Sequence, residues 1–583
     1  MSGRVSMRSN ALTVGCTMLG VLLLLPSAPA IETEDWPAYM TDTHGAAGVC
    51  WFLVDLKEVD PIYERYYWGA LDWLVAVAEW DGDTCGWWVS TTAPEGHPNH
   101  TFTTGGGAIF DGLSRGYMAS GDERYSDAAL GGIRATMDNA RAVATPYGQG
   151  YWWGKRVGHS HGPGSVGDML IDAHDRLGEE SVLPYIYGLL NWLRNEAVFS
   201  TDGLGNTLAM WPEDPGGTAY ETGYCYGNAG TLAFVLNAAN HFPGFEYPDG
   251  KDLRWLVNAN IRWLMSIAVD VPAADGIIWR YMRHDELSTN MGWGSGISGI
   301  GEQFLDAYEL NDAAGDPFAD ECLEYAGKAA KSVVYKANLV STISRGACGG
   351  EGGVAWFLVP LADELDATDP EFAQECRDAA SRIADLVVDD RLRFGDRTAW
   401  KSSPKFGDQA VNIALDYGVT GLGWALYLTG MALGRDDLVA VAREAGDYLR
   451  FIAVWDERGG CKWPQIIPYG PNDADDDGVF DDWDAFPTNP DEAVDSDSDG
   501  MGDNFEWSIV DDDPDDSLYG FADVLPTDDY DGDGASNLTE FQLGTDPTSW
   551  TDVSLYSPAW ITALLAILLC ASRRKWGTRP PNK

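Results

Sequence analysis

Positive charge is what this chain has least of. Its 583 residues carry 38 Lys and Arg against 90 Asp and Glu, a formal charge of −52. A phosphate backbone would be repelled rather than neutralised, so nucleic acid is excluded as a partner. The shortage is uneven: residues 471–550 hold 26 Asp and Glu and no Lys or Arg, half of the net charge. Cysteine is sparse, and outside the two ends it comes as an odd seven, which leaves at least one thiol unpaired. What is plentiful is apolar. The hydrophobic fraction of 45% excludes a wholly disordered chain, and 25 Trp is several times ordinary usage.

The ends read as processing and anchoring segments. Arg4 and Arg8, an apolar run over 11–25 and the small-residue site Ala28-Pro29-Ala30 predict a secretory signal over 1–30, with a permanent N-terminal anchor as the alternative. A second apolar run over 553–571 precedes Arg573, Arg574 and Lys575. It is close to the ~20 residues a membrane span needs, and the basic cluster would stay on the cytoplasmic side. The 551–583 segment also resembles the tripartite tails of prokaryotic surface proteins. Either version predicts a secreted protein held at the cell surface, with the membrane or cell envelope as a partner. Asn99-His100-Thr101 and Asn537-Leu538-Thr539 are glycosylation sequons.

The acidic block at 471–550 repeats one pattern. Asp473-x-Asp475-x-Asp477-Gly478, Asp495-x-Asp497-x-Asp499-Gly500 and Asp529-x-Asp531-x-Asp533-Gly534 alternate carboxylates before a glycine. Such loops wrap oxygen ligands round a hard cation, and the glycine permits the sharp turn. Asp503 and Glu506 follow the second loop, and Asn537 and Glu540 the third. Each Glu stands twelfth, where a bidentate carboxylate closes an EF-hand site. The first loop continues through Asp481 and Asp484 to Pro487-x-Asn489-Pro490, which resembles a thrombospondin type 3 repeat. The resemblance implies Ca²⁺ as a cofactor and a stalk; a solvated acidic linker is the alternative.

Residues 31–470 repeat on a longer period. A glycine-rich string followed by an apolar helical pattern recurs seven times, at His44–Gly48, Gly105–Ile109, His161–Ser165, Gly227–Gly230, Gly294–Gly299, Gly349–Gly353 and Gly418–Gly423. The spacing of roughly 55–70 residues fits two helices plus loops. Inner helices apolar nearly all round would alternate with amphipathic outer ones, and short Trp-bearing extended segments precede several strings. This predicts an all-α fold, an (α/α)7 toroid, closed because the last Trp segment and the first inner helix each lack their other half. An open solenoid would need capping repeats.

Here the residues resemble a family. Gly158-His159-Ser160-His161-Gly162 matches the Gly-x-x-His-Gly motif of lanthionine synthetase C-like proteins. Tyr224-Cys225-Tyr226-Gly227 matches their Trp-Cys-Tyr-Gly, and Cys348-Gly349-Gly350-Glu351-Gly352-Gly353 their Cys-His-Gly-x-x-Gly, with Gly349 where His should stand. The resemblance spans roughly 40–465 and implies a seven-fold α/α toroid. It implies Zn²⁺ held by Cys225 and Cys348, with His161 as acid/base, acting on a peptide; the third ligand is missing. The rival reading is a glycan-active or glycan-binding toroid, and a third is a display domain without catalysis. In the glycan reading Trp87, Trp88, Trp152, Trp153, Trp211, Trp279, Trp293, Trp400 and Trp463 stack on sugars. Asp168, Glu302, Glu351 and Asp408 would supply acid and base. Those Trp residues could equally wedge between repeats. Ring closure also brings Cys85 and Cys461, each in a Cys-x-Trp context, to one seam, where a disulfide would clasp the ends.

Overall fold

The computed structural model describes residues 45–87, 106–153, 157–159, 162–214, 216–280, 290–342, 346–347, 350–401, 410–415, 418–456, 458–464, 466–468, 473–481, 483–514 and 517–550. Both terminal segments, the Asn99 sequon, Trp88, His161, Cys348 and Asp408 lie outside them. No described helix is long and apolar enough to cross a membrane. The described chain forms two compact units, one up to Phe480 and one from Asp481.

Fourteen helices make up the first unit. The inner ones are α1 (Ala46–Leu56), α3 (Gly106–Ser120), α5 (Pro163–Leu177), α7 (Asn228–His241), α9 (Ile297–Ala313), α11 (Ala355–Leu365) and α13 (Val419–Leu433). Each is followed by an outer partner: α2 (Glu64–Ala76), α4 (Glu123–Asp138), α6 (Leu183–Glu196), α8 (Leu253–Ile267), α10 (Phe318–Ala337), α12 (Pro370–Asp389) and α14 (Asp436–Phe451). Every inner helix packs on the next, and α13 packs on α1. The ring is closed, with seven hairpins, as the repeat predicts.

The glycine strings start the inner helices because side chains have no room there. Gly45, Gly162, Gly227, Gly296 and Gly418 are the N-caps. A Cβ on Gly230, Gly299 or Gly421, three residues further on, would lie 1.8–2.0 Å from the carbonyl oxygen of Tyr224, Trp293 or Leu415. That distance is impossible for any other residue.

The Trp-bearing segments are the second strands of β-hairpins. They are β1–β2 (Glu79–Asp81, Thr84–Gly86), β3–β4 (Arg141–Thr145, Gly148–Trp152), β5–β6 (Val198–Thr201, Thr207–Met210), β7–β8 (Val269–Val271, Gly276–Ile278) and β9–β10 (Leu392–Phe394, Arg397–Ala399). A further pair, β12–β13, joins Val454–Trp455 to Cys461–Lys462, and β11 (Ala410–Asn412) pairs with β14 (Ile466–Pro468). The residue after each hairpin is a buried Trp whose indole N–H donates to a carbonyl in the last turn of the outer helix before it. Trp87 donates to Leu74, Trp153 to Thr136, Trp211 to Leu193, Trp279 to Leu264, Trp400 to Val387 and Trp463 to Leu449, all at 2.7–2.9 Å. These six are structural plugs that satisfy helix-end carbonyls. Of the two readings the sequence offered for these six, wedging between repeats holds and stacking on sugars is corrected.

Each of these six hairpins rests on the outer helix that follows, and β13 rests on α2. At the seam, the Tyr63 hydroxyl donates to Asp447 Oδ1 at 3.0 Å, and Trp424 Nε1 donates to Asp55 at 2.7 Å. Cys85 and Cys461 are both buried free thiols, and the expected disulfide is absent. Cys85 Sγ lies 3.2 Å from Ala128 O on α4, and Cys461 Sγ 3.4 Å from Tyr66 O on α2. They occupy equivalent places one repeat apart, with an outer helix between them. Cys322 and Cys376 are likewise buried and free.

The second unit has little regular structure: α15 (Asp503–Asp512), α16 (Asn537–Leu543) and one short 3-10 turn. Its core is Met501, Ile509 and Val524, with Phe505, Val510, Leu518, Tyr530, Leu538 and Phe541 packed round them.

Candidate functional site

The inner helices share a register, and it sorts the lumen into layers. Six residues past the N-cap stand Trp51, Asp168, Ala233, Glu302 and Trp424, and the repeat alignment adds Asp111 and Trp356. Three tryptophans therefore occupy the contiguous repeats six, seven and one. Carboxylates occupy repeats two, three and five, and alanine leaves a gap in repeat four. One wall of the layer is aromatic and the facing wall is acidic. One turn deeper come Asp55, Arg115, Asp172, Asn237, Asp306, Pro360 and Leu428.

The aromatic wall continues round the mouth. Trp51 lies 6.0 Å from Trp424, Trp424 5.4 Å from Trp356, Trp356 5.5 Å from Trp293, and Trp293 4.0 Å from Tyr224, centroid to centroid. Tyr224 reaches His159 at 4.9 Å. The indole N–H groups of Trp51 and Trp356 are buried without a hydrogen-bond acceptor among the described residues.

Two carboxylate stations flank Tyr224. In repeat three, Asp168 Oδ1 accepts from Asn237 Nδ2 at 2.7 Å, and its Oδ2 lies 2.9 Å from His159 Nε2. In repeat five, Trp293 Nε1 donates to Glu302, the residue equivalent to Asp168. Trp293 and His159 hold equivalent loop positions, so one design serves both repeats. Asp306 follows Glu302 by one helical turn. Burial raises both carboxyls above the ordinary range, and the charge of Asp306 raises Glu302 further. Such a pair keeps a proton at neutral pH. Burial also lifts Asp172 to about 6. The Tyr224 phenol is pushed well up, first by burial and then by Asp168 and Glu302.

The deeper end of repeats two and three is an ion-pair network. Arg115 Nε donates to both oxygens of Asp111 at 2.8–2.9 Å. Arg176 reaches Asp111, Ser114 Oγ at 3.1 Å and Asp172 at 3.2 Å.

The two fuller motifs pack together. His159 N donates to Tyr224 O at 3.2 Å, and a Cβ on Gly158 would meet the backbone of Tyr226. Cys225 is buried at this junction, with its N–H donating to Gly294 O at 2.8 Å. His161 and Cys348, its expected companions, lie outside the described residues.

The three Asp-Gly loops are near copies. In each, carboxylate oxygens of three aspartates come within 4.8 Å of one another: Asp473/Asp475/Asp477, Asp495/Asp497/Asp499 and Asp529/Asp531/Asp533. Gly478, Gly500 and Gly534 donate their N–H groups to the first Asp of their loops at 2.9–3.0 Å. Their φ values of 94–100° explain the glycines. Glu506 and Glu540 are fully buried, and neither carboxylate finds a hydrogen-bond partner among the described residues. Burial, then the aspartates of its own loop, pushes Glu506 up to about 11 and Glu540 to about 7. Asp503 accepts from Ser496, Asp484 from the Phe486 N–H and Asn537 from the Tyr530 N–H.

No protein-family model matches this sequence, and no curated protein matches it. Among solved structures, nisin cyclase is similar at 13% identity and a TM-score of 0.42, over 74% of this chain and 98% of that one. The GH76A α-1,6-mannanase of Salegentibacter sp. HEL1_6 is similar at 15% identity and a TM-score of 0.36, over 68% and 99%. A sugar epimerase from a ruminal bacterium follows at 14% and 0.37, over 71% and 89%. Once the glycine N-caps are aligned, counting six residues from each picks out Trp51, Asp168, Glu302 and Trp424.

Proposed function

We propose that the lumen of the ring binds and cleaves a saccharide. The observation that carries this reading is the divided layer, with Trp51, Trp356 and Trp424 facing Asp111, Asp168 and Glu302. Flat aromatic faces suit the apolar faces of sugar rings, and carboxylates suit their hydroxyls. The raised Glu302 carboxyl, one helical turn from Asp306, supports an acid role at a glycosidic oxygen. Asp168, steadied by Asn237, supports the role of base or nucleophile on the opposite side. A panel of oligosaccharides digested with wild type, Glu302→Gln and Asp168→Asn tests it. Cleavage abolished by both substitutions in folded protein is expected, and wild-type activity in both would refute it.

A second reading keeps the lanthionine synthetase C-like thiol–zinc site, here unusual or degenerate. Its support is the packing of the two motifs that places buried Cys225 beside Tyr224 and His159. With zinc bound, Cys225 and Cys348 would hold the ion, which supplies a more acidic thiol. Zinc that co-purifies in wild type and is lost in Cys225→Ala favours it.

The second unit and the first Asp-Gly loop fit a hard divalent cation, which we take to be Ca²⁺. The support is Glu506 and Glu540, buried without donors and facing three carboxylates each. In this reading a calcium-braced stalk carries the ring at the cell surface, with 551–583 as its anchor. Fractionation with and without that tail tests the anchoring.

A further inference from the structure

We propose that the saccharide taken by the lumen is an amino sugar, its protonated amine seated between Glu302 and Asp306 and its ring against the Trp51–Trp424–Trp356 wall. This rests on the saccharide reading and narrows it to one substrate class.

The first argument is charge. The two lumen layers bring in Asp55, Asp111, Asp168, Asp172, Glu302 and Asp306. The cations among them are Arg115 and, further along α5, Arg176, and both are taken by Asp111 and Asp172. The other carboxylates with donors are Asp55, which has the Trp424 indole, Asp168, which has Asn237 and the His159 imidazole, and Glu302, which has the Trp293 indole. Asp306 makes no hydrogen bond or ion pair among the described residues. The charged or titratable neighbours of this pair are Glu309 on the same helix, Tyr224 from the preceding repeat and, through Glu309, Glu364 on α11. None is a cation. Two half-buried carboxyls one helical turn apart are relieved by a positive group placed between them. A uronate or sulfated sugar would meet the opposite: repulsion from every unpaired acid in the layer.

The second argument is the facing wall. An ammonium gains from aromatic faces within about 6 Å as well as from carboxylates. The unpartnered indole N–H groups of Trp51 and Trp356 are donors that sugar hydroxyls can accept from. A bare metal ion uses neither feature.

The test is titration calorimetry of the full chain at neutral pH with three tetrasaccharides: fully de-N-acetylated glucosamine, its N-acetylated counterpart and a uronate. The expected result is binding of the amine form about tenfold or more tighter than the N-acetylated form, with no uronate binding. Asp306→Asn should erase that preference while leaving the thermal midpoint unchanged or raised, because it removes a buried charge. Equal affinity for the amine and N-acetylated forms overturns the amine assignment and leaves the saccharide reading intact. Preference for the uronate overturns it too. Binding of none of the three overturns both. Mn²⁺ binding that Asp306→Asn abolishes, without amine preference, gives the pocket to a metal and overturns the proposal.

Discussion

Withdrawing calcium from the second unit should unfold it, and the structure allows the size of the effect to be worked out. The unit spans only about 70 residues, and a core of that scale rarely supplies more than about 3–5 kcal/mol. Against this core stand carboxylates forced together without cations. Burial lifts Glu492 and Asp503 to about 8 and Glu506 to about 11, all far above their unfolded values. A carboxyl whose folded value is raised binds its proton more tightly when folded. Folding is therefore undisturbed below pH ~4 and loses stability as pH climbs from there towards the raised values. Calcium reverses the sign by making the ionised form the favoured one. Free ion at a thousand times Kd contributes about 4 kcal/mol per site, so the two loops of this unit give about 8 kcal/mol. That exceeds the core. Urea denaturation of the full chain, followed by fluorescence of Trp483 and Trp507 against variants lacking them, should show an early transition. It should disappear into the baseline in EDTA at pH 8 and return with calcium, whereas at pH 4 calcium should matter little. A transition unmoved by EDTA at pH 8 would refute the assignment.

The remaining predictions concern the ring. Trp279→Phe and Trp400→Phe should each cost about 1–3 kcal/mol in chemical denaturation, because a buried helix-end carbonyl loses its donor. Asp306→Asn should stabilise the ring at pH 8 and be neutral at pH 4, since the penalty of raised carboxyls exists only above their unfolded values. Cys85 and Cys461 should resist alkylation in native protein and react freely in denaturant without reductant; a cross-linked peptide would contradict the structure. Gly301→Val should unfold the ring, because even its Cβ would lie 2.4 Å from the Phe357 ring, and a cooperative wild-type-like melt would count against this packing.

The ring was legible in the sequence because its signal is steric. Glycines with no room for a side chain stand at five of the inner-helix starts, at Gly164, Gly230, Gly299, Gly353 and Gly421, and the glycine strings recur seven times in the sequence. The tryptophans were visible as a repeat, but their role was not. Composition cannot distinguish an indole that seals a carbonyl from one that stacks on a ligand, and it is Trp51, Trp356 and Trp424, inside apolar helices, that face the lumen. The cysteine pairing failed for a topological reason. Each described hairpin leans on the following outer helix, which stands between Cys85 and Cys461. The Asp-Gly loops were legible from spacing, since alternating carboxylates and a left-handed glycine are local chemistry. The divided lumen layer needs the inner helices placed in one register, a long-range relation that no single repeat displays.

At the seam between α13 and α1, inner helix packs on inner helix and hairpin on outer helix as at the other junctions, and the thiol of Cys461 rests on α2 as that of Cys85 rests on α4. Where the chain begins and ends is therefore arbitrary with respect to the ring. A gene rearranged to join the two ends of the ring by a short linker, and to open at the exposed hairpin tip near Leu204, should give the same closed toroid. Chain order follows spatial order round the ring, and only the starting point is free.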